Sequence, residues 1–177
     1  MDHNDIKYIS EIEAVKRFLV VYNKENGTDY YDIEKNEWEN AKDGAGEVDV
    51  YCHSHSDLSD LKIQVTKCDP NFSAEFGKYI SYKKKNNFRN LFENKLFNRK
   101  VTLPEFFERL KIVINKKSNK YKKEVKKDLI LLLDNLGSQP NLFFYKFKEE
   151  NRDFLENTGF VEVWVSGYNN FILRLDK

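Results

Sequence analysis

Between residues 5 and 24 the apolar side chains Ile12, Val15, Phe18, Leu19 and Tyr22 recur three or four positions apart, the spacing that lines one side of an α-helix. Asn26-Gly27 closes the run, since glycine accepts the left-handed backbone that ends helices without steric cost. A long amphipathic helix is therefore predicted first. The stretch "TDYYDIEKNEW" that follows reads as a strand or an irregular extended segment, and Gly44 and Gly46 mark a turn.

From Gly46 to Lys67, "GEVDVYCHSHSDLSDLKIQVTK", the period changes to two. Glu47, Asp49 and Tyr51 fall on one side of a first strand, with Val48, Val50 and Cys52 on the other. On a second strand Lys62, Gln64 and Thr66 share one face, and Leu61, Ile63 and Val65 share the opposite one. With the turn centred near Asp57, antiparallel pairing sets Asp49 opposite Gln64. Polar side chains of both strands thus gather on one side, over an aliphatic underside.

Residues 72 to 98 read as helical with interruptions, and Thr102-Leu103-Pro104-Glu105 opens a second long helix running to about Lys122. The Thr-x-x-Glu spacing suits a capping box, in which each side chain satisfies a free amide of the first turn. "KDLILLLDN" is a short continuous apolar run, as expected for a strand covered on both faces. After a further helix, "FVEVWV", the loop "SGYNN" and "FILRL" close the chain as a hairpin. The order is helix, three strands, helices, buried strand, helix and terminal strands, which predicts an α/β sandwich: a central mixed β-sheet flanked by helices.

Composition narrows the class. A chain of 177 residues holds one sizeable core, so a single domain over residues 1–177 is expected. Its 40% hydrophobic and 33% charged content is that of a globular chain, folding alone or as a small oligomer such as a homodimer. The net charge of +1 hides a segregation: "YKKKNNFRNLFENKLFNRK" and "KKSNKYKKEVKKD" hold most of the cations, and residues 25 to 60 are acidic. Two cysteines, Cys52 and Cys68, and no secretory leader suggest a reducing, cytoplasmic setting without a disulfide. The longest apolar run, "LILLLDNL", is broken by Asp134 and falls short of a membrane span. No linker tract or internal repeat interrupts the pattern.

Through "GEVDV", "LKIQVTK" and the order of elements, the sequence resembles the PD-(D/E)XK nuclease superfamily, the restriction-endonuclease-like fold. The resemblance implies a metal-binding aspartate at Asp49 and a (D/E)-x-K strand at Gln64 to Thr66. It implies Mg²⁺ or Mn²⁺ as cofactor and nucleic acid as partner, with the ion stabilising charge on a phosphodiester. Two positions depart from the family pattern: Gln64 stands where a carboxylate is usual, as in some divergent members, and Thr66 stands where a lysine is usual. Lys62, two residues earlier on the same face, is the candidate stand-in, whereas Lys67 points away. Glu11 lies on the helical face shared by Val15, Phe18 and Tyr22. Because the family's first helix often supplies a glutamate, Glu11 joins Asp49, Gln64 and Lys62 as a candidate catalytic residue. The bland alternative is a glutamate at the edge of the apolar stripe, solvated or hydrogen-bonded.

Other features bear two accounts. "CHSH" offers Cys52, His53 and His55 to zinc, but no second Cys/His pair of suitable spacing follows, so a solvated hairpin end is preferred. Lys83, Lys84, Lys85 and Arg89 interleave with phenylalanines, and Lys117 and Lys120 lie near Tyr121. These can contact phosphates while aromatics stack on bases, or they are the wet faces of ordinary helices. No nucleophile elbow, phosphate-binding glycine loop or dinucleotide fingerprint occurs. Two functions remain: a divergent Mg²⁺-dependent nuclease acting on DNA or RNA, or an inactive member that binds nucleic acid or another protein.

Overall fold

The computed structural model of the chain describes residues 3–32, 48–56, 58–68, 102–135, 140–167 and 170–177. The expected helix over residues 72 to 98, and with it Lys83, Lys84, Lys85 and Arg89, lies outside the described residues.

The run that reads as continuously apolar forms the middle of the sheet. Strand β4 (Leu129–Asn135) is buried at all seven positions. It lies between β3 (Leu61–Lys67) and β5 (Glu162–Gly167), both parallel to it. β2 (Val50–Ser54) and β1 (Tyr30–Asp32) extend the sheet antiparallel beyond β3, and β6 (Ile172–Arg174) pairs antiparallel with β5. The strand order follows the chain, β1 to β6. A strand flanked by parallel neighbours must be covered on both faces, and here helices do so.

Helix α1 (His3–Asn26) covers one face. Ile12, Ala14, Val15, Phe18 and Leu19 pack there against Val50, Cys52, Ile63, Val65, Ile130, Leu132 and Trp164. The Phe18 and Trp164 rings meet edge to face with centroids 5.3 Å apart, a favoured aromatic geometry. Gly27 takes φ +64°, and the Thr28 N–H returns to the Asn23 carbonyl at 3.0 Å, so the helix stops where the sequence places its glycine.

Helices α2 (Leu103–Ser118) and α4 (Asn141–Glu150) cover the other face, with the one-turn α3 (Lys123–Lys126) and the short α5 (Arg152–Glu156) between and after them. Phe106, Phe107, Leu110, Ile114, Phe144 and Phe147 fill that side against Leu131, Leu133, Val163 and Val165. The result is a three-layer α/β/α arrangement. Cys52 and Cys68 are buried in these two separate cores, on opposite faces of the sheet.

Two local expectations are corrected. Thr102 is the N-cap of α2 in extended conformation but makes no side-chain cap hydrogen bond; Glu105 instead pairs with Arg109 at 3.0 Å, one turn on. The helix also ends at Ser118, short of Lys122. The Ser118 hydroxyl donates to the Thr158 carbonyl at 2.7 Å and accepts from Lys126 Nζ at 2.8 Å. This ties the helix end to the turn before β5 and leaves the next residues to form α3.

Candidate functional site

The β2–β3 ladder pairs Val50 with Ile63 and Tyr51 with Lys62. One step beyond it, Asp49 meets Gln64. Gln64 Nε2 donates to Asp49 Oδ2, and the Val65 N–H donates to the same oxygen at 2.9 Å. Gln64 Nε2 also donates to the Val65 carbonyl at 3.0 Å, and its Oε1 accepts the hydroxyl of Tyr121. Asp49, Gln64 and Tyr121 are all buried, at 7%, 0% and 6% exposure. The partners fix the amide's orientation: a carboxylate and a carbonyl both require a donor, so the NH₂ faces them and the oxygen faces the phenol.

This arrangement does not fit the Mg²⁺ site that the resemblance implies. A hard cation needs oxygens converging on one point, whereas Gln64 presents its nitrogen to Asp49 and turns its oxygen to Tyr121. Asp49 Oδ2 already accepts two donors. Among the described residues, no three His, Cys, Asp or Glu side chains are grouped to hold a metal. Thr66 and Lys62 are half-buried on the strand of Gln64, and Lys62 lies in register between Tyr51 and Leu129.

Glu11 is half-buried on α1, whose neighbours Ile12 and Val15 pack on the sheet face that carries Ile63 and Val65. Gln64, by strand alternation, projects from the other face, toward the side of α2 and Tyr121. Side-chain alternation likewise sends Lys67 to the face of α1.

Tyr121 belongs to the basic segment. Residues 116–127 carry Lys116, Lys117, Lys120, Lys122, Lys123, Lys126 and Lys127 against the lone acid Glu124. Lys116, Lys120, Lys122, Lys123 and Lys127 are exposed and Lys117 is half-buried. Lys120 Nζ sits 5.4 Å from the Tyr121 ring centroid. The segment runs directly into β4, and Leu129 is in register with Lys62, so that lysine adjoins the same end of the sheet.

At the hairpin end, Cys52 is in the core under α1, His53 Nδ1 bonds Asp60 Oδ1 at 2.8 Å, and His55 stacks on Tyr31 with centroids 4.4 Å apart. The three "CHSH" groups therefore diverge. Asp29 accepts hydrogen bonds from Ser54 and Ser56, which hold its carboxyl below the usual carboxylate range.

Sequence reasoning missed a second cluster, at the carboxyl ends of β3, β4 and β5. Lys67, Asp134 and Ser166 are neighbours in register across the three parallel strands, and α1 lowers Arg17 onto them. Arg17 Nη2 donates to Asp134 Oδ1 at 3.2 Å and Nε donates to Ser166 Oγ at 3.3 Å. Burial pushes the Asp134 carboxyl up to about 6, against the opposing pull of Arg17 and then Lys67. The available signal was the charge itself: a carboxylate inside a strand buried on both faces requires a partner.

No protein-family model, curated protein or solved structure matches the chain. Among the described residues no helix is long and apolar enough to cross a membrane.

Proposed function

We propose that the chain binds nucleic acid through the phosphate backbone, on a restriction-endonuclease-like framework whose metal position is occupied by a hydrogen-bonded Asp49–Gln64–Tyr121 core. The observation that carries the reading is Tyr121: it sits within the lysine-rich segment 116–127 and donates to Gln64. A cationic surface is thereby anchored to the strand pair on which the superfamily builds its site. The order of elements agrees with that framework: a helix, three antiparallel strands, then helices leading into a strand parallel to the third. Clustered lysines gain affinity by releasing counterions from phosphates, and such interactions carry no base information.

The test is binding of labelled duplex and single-stranded DNA and RNA at increasing salt, with and without Mg²⁺ or Mn²⁺. Binding that weakens steeply with salt, needs no metal and leaves the strands intact is the expected result. No binding even at low salt removes the reading. Metal-dependent cleavage that Asp49→Ala abolishes replaces it with the nuclease.

A further inference from the structure

The cluster under α1 has an inventory of hydrogen-bonding groups that does not close on itself. Asp134 is 3% exposed at its side chain, and only its Oδ1 receives a donor among the described residues. Ser166 is fully buried; its oxygen accepts from Arg17, and its hydroxyl proton has no acceptor among the described residues. Arg17 spends one Nε–H and one Nη2–H there, leaving three of the about five donors of a guanidinium. A pair that served only to fasten α1 would leave no buried oxygen and no hydroxyl proton over, because such orphans cost stability and call for a specific explanation.

The orphans define a ligand. It must donate one hydrogen bond, to Asp134 Oδ2, and accept several, from Ser166 Oγ–H and the remaining Arg17 N–H groups. Arg17, Lys67 and an ionised Asp134 together carry one net positive charge, so the ligand is a monoanion. A phosphate monoanion satisfies each term: dihydrogen phosphate, or a phosphomonoester that keeps one proton, turns an O–H to the carboxylate and its other oxygens to the donors. Sulfate has no proton to give at neutral pH and would set an oxygen against Asp134. The rim of the cluster reaches solvent, where the Arg17 side chain is 24% exposed and Lys67 is exposed.

We propose that Arg17, Asp134 and Ser166, with Lys67 at the rim, form a site for a phosphate monoanion, either dihydrogen phosphate or a singly protonated phosphomonoester. It stands on the sheet face opposite Tyr121 and is independent of the nucleic-acid reading.

Titration of the full-length chain by calorimetry with inorganic phosphate, glycerol 1-phosphate and sulfate tests it. Saturable binding of a phosphate with sulfate excluded is expected, and the tighter of the two phosphates identifies the source. Lys67→Gln, an exposed change that leaves the core intact, weakens binding severalfold, and Arg17→Gln weakens it by about tenfold or more. Asp134→Asn, which turns an acceptor into a donor, admits sulfate. The proposal fails if the wild-type chain binds neither phosphate at millimolar concentration, or if it binds sulfate and phosphate alike and Asp134→Asn changes neither.

Discussion

The amide nitrogen of Gln64 donates to Oδ2 of Asp49, and its amide oxygen accepts from Tyr121. One buried side chain thus links the β2–β3 strand pair to the turn after α2. Buried polar chains of this kind stabilise when every member is satisfied and become a liability when one is removed. The chemistry of this pair follows from which atoms face each other: a neutral amide can satisfy a lone carboxylate, as a second carboxylate cannot.

Tyr121→Phe removes the hydroxyl and leaves Gln64 Oε1 buried without that donor. Stability is expected to fall by about 1–3 kcal/mol, read as a lower urea midpoint with an unchanged slope. The aromatic packing on Phe160, at 6.4 Å between centroids, is retained in this variant, so a loss of this size reports the hydroxyl. A midpoint equal to wild type means that the Tyr121 hydroxyl carries no weight.

Gln64→Glu sets a second carboxylate against Asp49. Two adjacent like charges in a buried place cannot both ionise cheaply. The variant should be destabilised by roughly 2 kcal/mol or more at pH 7.5 and by less at pH 5, where one of the pair holds a proton. Urea unfolding at both pH values decides; an equal loss at each means that the carboxylates do not meet.

Asp134 gives the fold an acid-side signature. Its carboxyl keeps a proton up to about 6 in the folded chain, chiefly through burial, against 3.8 as the ordinary value. Between those values the folded state binds more protons than the unfolded state, so this contribution is fully present below about 4 and is lost as pH rises through about 6. The loss is on the order of 3 kcal/mol. Asp134→Asn should flatten that part of the stability profile, measured by denaturant unfolding from pH 4 to 7. A slope that survives the substitution assigns it to other groups.

The lysines of the α2–α3 segment are expected to act through charge alone. Replacing Lys116, Lys120 and Lys123 by Glu should weaken nucleic-acid binding for every sequence alike, and the logarithmic salt slope should become shallower by about 0.9 for each duplex phosphate no longer neutralised. Fluorescence anisotropy across a salt series measures both effects. A change confined to one sequence would point to recognition of bases instead.

Lys126 separates a structural lysine from its neighbours. Its ammonium donates to Ser118 Oγ and to the Thr158 carbonyl, both at 2.8 Å, so Lys126→Met should lower stability by about 1–3 kcal/mol. Thermal unfolding of Lys126→Met beside the exposed Lys123→Met makes the comparison, and equal midpoints would deny Lys126 that role.

Periodicity in the sequence was enough to determine the helix ending at Gly27, the doubly covered strand at Leu129 and the face-by-face alternation of β2 and β3, because these depend on repeats of 3.6 and two and on local backbone preferences. The register that sets Asp49 opposite Gln64 was also legible, since strand length and turn position fix it within one hairpin. The tertiary structure alone decided what those side chains do. Tyr121, 57 residues from Gln64, joins Gln64 and Asp49 in one buried hydrogen-bonded chain. The layer assignment of α1 sets Glu11 on the face of Ile63 and Val65. The cluster of Arg17, Lys67, Asp134 and Ser166 comes from four separate elements, brought together by parallel register and helix packing, and no repeat within one stretch of chain encodes such a meeting. Local patterns report which face a residue occupies; only the packed layers determine what it meets there.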